Sequence, residues 1–184
     1  GLLTANFLLK EGIDCILLER RPKGTHSSHA ICLHHRTIDL LARLRLHKNL
    51  HSTANIIRSI QIHTSSQKTY DLPLKEMETI NNYILNVEES HVEKILLEHL
   101  QSKEGQLHFE TEVIDFKQKE DYITVSAVDP SGCLRCYKTK YLVGCDGMNS
   151  TIRYLCGIEK EITSEHYTIT VIDCQLQSEL TEQS

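Results

Sequence analysis

The run Cys15-Ile16-Leu17-Leu18 restricts the fold of this chain more than any other feature, because it is wholly apolar and ends in the charge of Glu19. Such a run predicts a parallel strand that is buried on both faces. It follows an amphipathic segment that Gly12 terminates. The apolar positions of that segment have helical spacing and are Leu2, Ala5, Leu8 and Leu9. A helix leading into a buried strand is the second half of a βαβ unit, so we expect its first strand to precede Gly1.

A second helix and a third helix are predicted further along the chain, with β-like pieces between them over residues 56–86. The second helix has one apolar face, formed by Thr37, Leu40, Leu41 and Leu44. The pieces between the helices include Ser59–His63 and residues 83–85. The third helix begins near Ser90, which has capping-box spacing to Glu93. Its predicted buried stripe is Val92, Ile95, Leu96 and His99.

Four more strands and a turn are predicted after this helix. The strands cover residues 107–110, 122–127 and 141–145, and the turn Asp129-Pro130-Ser131-Gly132 precedes a returning strand. We expect 14–19 and 141–145 to belong to one parallel sheet, with Glu19 and Asp146 at carboxyl ends on the same side. The polar residues 178–184 are expected to be poorly ordered.

Composition excludes several classes of protein. The chain has 184 residues, of which 40% are apolar and 24% charged, and its net charge of −5 argues against a nucleic-acid partner. No run approaches the length of a membrane span, and no secretory signal is visible. The seven cysteines have no framework spacing, so we expect reduced, mostly buried thiols and a cytoplasmic location. Cys133 and Cys136 would point to opposite faces of a strand, so we expect no metal site.

Three positions near the first strand could contact a dinucleotide. Glu19, at the tip of the strand, is placed to accept hydrogen bonds from ribose hydroxyls, although a solvated charge is the simpler interpretation. Arg20 and Arg21 could bind a nucleotide 2′-phosphate, but exposed arginines after a strand are common. Gly1 stands where the last glycine of a phosphate-binding loop would open the first helix.

The segment Asp146-Gly147 carries the strongest chemical signal. It follows an apolar run and precedes a predicted helix start, where backbone N–H groups suit a pyrophosphate and Arg153 adds a cation. The alternative is a structural one, in which Asp146 caps the helix and Gly147 makes a turn.

Together these motifs resemble the para-hydroxybenzoate hydroxylase type of FAD monooxygenase, which includes phenol and polyketide hydroxylases. The pieces that align in order are residues 1–3, 17–22, 29–36, 89–93 and 141–153. The last piece, Tyr-Leu-Val-Gly-Cys-Asp-Gly-x-x-Ser-x-x-Arg, is the most specific of them. The resemblance implies a doubly wound α/β, Rossmann-like FAD-binding domain, FAD as cofactor, NAD(P)H as co-substrate and a small aromatic substrate.

The resemblance also implies roles for single residues. Glu19 would bind the adenosine ribose, and Asp146-Gly147 would approach the pyrophosphates of FAD and NAD(P)H. The remaining cofactor-binding positions are Gly1, Arg20, His29, Arg36, Glu89 and Arg153. Two of them depart from the family pattern, since His29 replaces a usual Arg and Glu89 a usual Gln. No catalytic residue is nominated, because the segments that position substrate are not in this sequence.

The sequence therefore predicts four parts in a domain truncated at both ends. Residues 1–55 and 87–165 form the FAD-binding domain, 56–86 supply inserted strands of a substrate-binding sheet, and 166–184 begin that region again or form a tail. The activity expected of the parent protein is NAD(P)H-dependent hydroxylation of a phenolic or similar ring. Two alternatives stay open, namely another FAD oxidoreductase of the same fold, such as a reductase or epoxidase, and a non-catalytic remnant that no longer binds flavin.

Overall fold

The computed structural model describes residues 1–23, 32–76 and 80–161. The helices in these ranges are α1 (Leu2–Lys10), α2 (His35–Arg43), α3 (His47–His51), α4 (Glu89–Ser102) and α5 (Thr151–Leu155). The strands are β1 (Ile16–Leu18), β2 (Cys32–Leu33), β3 (Asn55–Ile57), β4 (Ser59–His63), β5 (Thr69–Pro73), β6 (Ile84–Asn86), β7 (Gln106–His108), β8 (Glu112–Gln118), β9 (Ile123–Val128) and β10 (Leu134–Thr139). A 3₁₀ turn, Leu74–Glu76, follows β5.

The chain divides into two compact units. One contains Gly1–Thr25 and His99–Tyr167, and the other His26–Glu98 and Thr168–Ser184, so the boundary falls inside α4. The four-part division drawn from the sequence remains a prediction. Its last part, residues 166–184, lies outside the described residues.

In the first unit, α1 leads into β1 as the sequence predicts. Gly12 ends the helix with a φ of 73°, a conformation that glycine adopts without steric cost. β1 then pairs in parallel with β7, with Leu17 opposite Leu107. The ladder continues past the strand end, where the Glu19 N–H donates to the His108 carbonyl at 2.9 Å. This parallel pair is the part of the sheet that positions Glu19.

An antiparallel meander, β8-β9-β10, follows β7 in the same unit. Val125 and Ala127 of β9 alternate with less buried positions and are 3% and 0% exposed. The predicted turn joins β9 to β10, with the Gly132 N–H donating to the Asp129 carbonyl at 2.9 Å. The Asp129 carboxylate accepts further hydrogen bonds from backbone N–H groups of the turn and from Arg135 Nε at 2.7 Å.

The second unit combines helices α2 and α3 with two small antiparallel sheets. Ile38 and Leu41 of α2, Leu50 of α3 and Leu85 of β6 are its most deeply buried side chains. One sheet has the order β2-β6-β3, and the other is the β4-β5 hairpin. The predicted second helix and the predicted strands between residues 56 and 86 are therefore present. Sequence analysis missed the two-residue strand β2.

Two strand predictions fail in part. β1 is not buried on both faces, because Ile16 is 46% exposed and the strand pairs with β7 along one edge only in the described part of the chain. Residues 141–145 form no strand at all, and Tyr141 and Val143 are 82% and 57% exposed. Among the described residues, β7 lies along one edge of β1 and no strand lies along the other. No described strand lies along residues 141–145, so nothing supplies ladder hydrogen bonds there or covers the apolar side chains.

The start of α4 also differs from its prediction. The helix begins at Glu89, and the Glu88 carbonyl just before it accepts from the His91 N–H at 3.0 Å and from the Val92 N–H at 3.4 Å. Ser90 lies inside the helix and donates its hydroxyl to the Glu88 carboxylate, at 3.2 Å, so it does not form the predicted capping box. The predicted buried stripe is present, with Val92, Ile95 and Leu96 buried.

The prediction of mostly buried thiols is wrong. Among the described cysteines, Cys133, Cys136, Cys145 and Cys156 are exposed, Cys15 and Cys32 are partly buried, and none forms a disulfide. The apolar neighbours of Cys145 in sequence do not bury it, because that segment joins no sheet in the described residues. Cys174 lies outside them.

Candidate cofactor-binding site

The start of α1 packs unusually close to β1. A Cβ added to Gly1 would lie 2.9 Å from Leu17 Cδ1 and 4.0 Å from Cys145 Cβ. The strand and the segment that leads to Asp146 therefore meet at this glycine, and Thr4 Oγ1 also contacts Cys145 Sγ at 3.7 Å. The sequence-based interpretation of Gly1 as a close-packing glycine agrees with this geometry.

The first turn of α1 is suited to an anion. Gly1 is its N-cap and makes no side-chain capping bond, and the turn contains no acidic residue. The first N–H groups of a helix have no intrahelical partner and carry the positive end of the helix dipole. A phosphate could approach these donors closely, because glycine adds no side chain in front of them.

Glu19 lies just beyond the carboxyl end of β1, as predicted. Its Oε1 accepts hydrogen bonds from the Arg21 backbone N–H at 2.9 Å and from Arg21 Nε at 3.4 Å. The Glu19 side chain is 33% exposed, so solvent and ligands reach it. A carboxylate offers about four acceptor sites, which leaves capacity for ribose hydroxyls. Arg20, the neighbouring candidate, has an exposed side chain.

Asp146 caps the start of α5, which was the structural interpretation of this residue in the sequence. Its Oδ2 accepts from the Ile152 backbone N–H at 2.9 Å, and its Oδ1 accepts from the Ser150 hydroxyl at 2.5 Å. Ser150 is the N-cap residue and in turn accepts from the Arg153 N–H at 2.9 Å. Partial burial raises the pKa of Asp146, but the bonds from Ser150 and Ile152 outweigh that effect and hold it below its ordinary value.

This cap changes what the Asp146-Gly147 segment can do for a ligand. Two donors at the start of α5, the N–H groups of Ile152 and Arg153, are already satisfied by protein oxygens. The Arg153 guanidinium also turns back onto the loop and donates to the Met148 carbonyl at 2.7 Å and to the Gly147 carbonyl at 3.5 Å. The loop between Asp146 and Ser150 is thus held from both ends by its own residues, and Gly147 gives it a φ of 77°.

Three other predicted positions fall elsewhere. Arg36 lies on α2 with its side chain exposed, and Glu89 is the half-buried first residue of α4. Both belong to the second unit, whereas Gly1, Glu19 and Asp146 belong to the first. His29 lies outside the described residues.

Sequence reasoning missed two residues that build this site. Ser150 links Asp146 to α5, and a serine directly before a predicted helix was an available signal for it. Gly144 allows α5 to approach, since a Cβ added there would lie 3.0 Å from Ile152 Cβ. Such a contact is invisible in sequence because it joins separate segments.

An open groove of about 380 Å³ lies beside the end of β7 and was also not predicted. It is lined by His108, Phe109, Thr111, Asp129, Pro130, Arg135 and Tyr137. Within the groove, the Arg135 guanidinium donates to the Asp129 carboxylate, so these two charges pair with each other. The two aromatic side chains are joined by a 3.1 Å hydrogen bond between His108 Nδ1 and the Tyr137 hydroxyl.

Neither a metal cluster nor a membrane span is present in the described ranges. No three His, Cys, Asp or Glu side chains there could hold a metal ion together. No helix there has the length and apolar character that crossing a bilayer requires.

Comparison with known proteins identifies the family. Residues 1–183 match the family described as FAD binding domain. The chain belongs to this family. The resemblance found in the sequence is thereby confirmed for nearly the whole chain.

Curated relatives of this FAD-binding domain are monooxygenases. The chain is 28% identical over 180 residues to 12-dehydrotetracycline 5-monooxygenase/anhydrotetracycline 6-monooxygenase of Streptomyces rimosus, which covers 98% of the chain and 35% of the relative. It is 26% identical over 158 residues to rifampicin monooxygenase of Streptomyces venezuelae, covering 86% of the chain and 32% of the relative. The FAD-binding chain thus spans about a third of the length of these relatives.

Solved structures confirm the predicted α/β fold. The anhydrotetracycline hydroxylase OxyS from Streptomyces rimosus superposes with a TM-score of 0.76 at 29% identity, over 85% of this chain and 31% of that one. The p-nitrophenol 4-monooxygenase from Pseudomonas putida gives a TM-score of 0.77 over 85% of this chain and 40% of that one, and its 24% identity supports the fold alone.

Proposed function

We propose that this chain is the FAD-binding portion of an NAD(P)H-dependent monooxygenase that hydroxylates an aromatic or phenolic substrate. The observation that carries the proposal is the start of α1, where Gly1 packs against Leu17 and where, among the described residues, no side chain caps the first turn and no acidic residue lies in it. The names of the curated relatives support the reaction type. FAD would supply the chemistry that activates oxygen, and the chain would bind and orient it.

The described residues suggest how the cofactor is held. We assign the FAD pyrophosphate to the N–H groups of the first turn of α1 and the adenosine ribose to Glu19, which lies beyond the end of the adjacent strand. Asp146 acts through its cap and keeps the Gly147 loop in one shape next to Cys145, whose Cβ would lie 4.0 Å from a Cβ added to Gly1. Roles of Arg20, His29, Arg36 and Arg153 in cofactor binding remain predictions, as does the cytoplasmic location.

The experiment that tests this function is titration of the full-length protein with FAD, followed by flavin fluorescence. Tight binding, together with oxidation of NADH or NADPH and hydroxylation of a phenol panel, supports the proposal. A protein that binds FAD and oxidises the nicotinamide without hydroxylating any ring would instead be a reductase or another oxidoreductase of this fold.

A second candidate, a remnant without flavin, is favoured by Glu89. This carboxylate lies in the first turn of α4, where the helix dipole stabilises an anion. A protein anion therefore occupies a helix end at a position where the family pattern has a neutral glutamine. A full-length protein that purifies colourless and stays so after incubation with FAD would establish the remnant.

A further inference from the structure

Asn6 is a buried polar residue on α1 that the proposed cofactor contacts do not use. Its side chain is 1% exposed, although amides are rarely so buried in an amphipathic helix. Asn6 Nδ2 donates to the carbonyl oxygen of Leu2, at 2.9 Å, in the first turn of the same helix. Asn6 Oδ1 lies 2.7 Å from Nδ1 of His99, near the end of α4.

These contacts determine which ring nitrogen of His99 carries the hydrogen. The Asn6 amide uses its nitrogen toward Leu2, so its oxygen faces His99 as an acceptor and His99 must donate from Nδ1. Burial, with a smaller contribution from Lys103, lowers the pKa of His99, so its neutral form with hydrogen on Nδ1 prevails near pH 7. The resulting chain of bonds runs from His99 through Asn6 to the Leu2 carbonyl.

The packing around this pair is tight. A Cβ added to Gly105 would lie 2.7 Å from Leu100 Cδ1 and 2.8 Å from Leu9 Cδ1. Leu100 is completely buried. The end of α4 and the second half of α1 therefore meet in a close apolar contact. Contacts between leucines alone tolerate small sliding movements, whereas a buried amide loses its acceptor bond in any other register.

We propose that Asn6 and His99 are positioning residues, whose hydrogen bond sets the register of α1 against the end of α4 and so fixes the first turn of α1 for the FAD pyrophosphate. This inference rests on the proposed function. The pair touches no cofactor atom itself and acts through the Leu2 carbonyl and the helix. Its contribution is to cofactor affinity more than to stability, because two apolar side chains of similar size could fill the same space.

The test compares the full-length protein with the double variant Asn6→Leu/His99→Leu. Replacing both partners removes the donor and the acceptor of this bond together, so the unfolding midpoint should change less than when one partner alone is removed. The dissociation constant for FAD should rise roughly 3- to 10-fold, the range that corresponds to one hydrogen bond. His99→Asn, whose amide nitrogen occupies the place of Nδ1, should restore binding to within about two-fold of wild type. The control His63→Leu/Thr69→Val removes an exposed pair on the β4-β5 hairpin, joined at 3.0 Å, and should not alter FAD binding.

Unchanged FAD affinity in the double variant would overturn the inference, whatever its stability. If the double variant does not fold, FAD binding is measured with His99→Gln instead, because the longer glutamine side chain carries its amide beyond Asn6. A wild-type protein that binds no FAD would refute the proposed function instead. Hydrogen exchange, measured on the protein without FAD, then tests whether Asn6 and His99 position the start of α1. The Ala5 N–H, which bonds to the Gly1 carbonyl at 3.0 Å, should exchange several-fold faster in the double variant, and equal exchange would refute it.

Discussion

Gly1 and Leu17 stand so close that a single added carbon would lie 2.9 Å from the leucine Cδ1. A side chain at this position would therefore require Leu17 or the start of helix α1 to shift. This contact leads to the first prediction.

Gly1→Ala should destabilise the protein by about 1–3 kcal/mol, because it overpacks a close contact. It should also weaken FAD binding by moving the first turn of α1. Leu17→Val removes the obstructing Cδ atoms, so the double variant Gly1→Ala/Leu17→Val should recover affinity relative to Gly1→Ala. FAD titration and urea unfolding of all three variants measure these effects. Equal affinity of Gly1→Ala and wild type would show that the close contact has no bearing on the cofactor.

Asp146 and Ser150 should behave as one unit. Asp146→Ala removes the acceptor for the Ile152 N–H and should cost about 0.5–2 kcal/mol, the usual value of a helix cap. Ser150→Ala should cost a similar amount. Because Ser150 donates to Asp146 at 2.5 Å, the double variant should cost less than the sum of the two. Additive losses in chemical denaturation would mean that the two caps act independently.

Acid should destabilise the second unit through His47. Burial, followed by the charges of His51 and Lys48, lowers the pKa of His47, and its Nδ1 is buried without a hydrogen-bond partner in the described structure. The unfolded chain thus binds the proton more readily than the folded chain. The stabilising effect is complete above the unfolded value of about 6.5 and is lost as the pH falls through the lower folded value.

Unfolding free energies measured between pH 7.5 and pH 5 test this, at about 0.5-unit steps. His47→Leu removes the unsatisfied nitrogen, so it should raise stability by about 1 kcal/mol at neutral pH and flatten the acid dependence. The control His63→Leu, on the exposed β4 strand, should leave the slope unchanged. A steeper or unchanged slope in His47→Leu would refute the assignment.

The exposed thiols should react first with a maleimide or an aromatic disulfide reagent. Cys133, Cys136, Cys145 and Cys156 are exposed, whereas Cys15 is partly buried. Burial, with a contribution from Asp14, also raises the pKa of Cys15, which lowers its thiolate fraction. Peptide mapping after brief labelling should find Cys15 modified last among these five. Early labelling of Cys15 would contradict the described packing of α1 on β1.

Glu89 should limit the affinity of the full-length protein for FAD. The family pattern has a neutral glutamine at this position, so Glu89→Gln, which removes a negative charge, should tighten binding by about ten-fold or less. His29→Arg, which adds a permanent cation, should act in the same direction. Glu93→Gln, one turn further along α4, is the matched control for a general charge effect. Equal gains from Glu89→Gln and Glu93→Gln would remove the case for a specific contact.

Local pattern determined much of this fold before any coordinates. The periodicity of Leu2 to Leu9 predicted α1, the run ending at Leu18 predicted β1, and the Asp129–Gly132 turn predicted the β9-β10 hairpin, because each depends on neighbours within a few residues. The specific segment 141–153 also indicated the FAD-binding family, which the family match confirms.

Tertiary structure alone decided how those parts are used. Burial of β1 and strand formation at residues 141–145 depend on whether another strand lies alongside, and a sequence run does not contain that information. The exposure of Cys145 and the close approach of Gly1 to Leu17 likewise depend on how separate segments pack. The Asp146 carboxylate shows the same division. The sequence alone allowed either a ligand contact or a cap. The structure shows the cap, because the carboxylate accepts from the Ile152 N–H and the Ser150 hydroxyl, and the ligand contact of this segment stays a prediction.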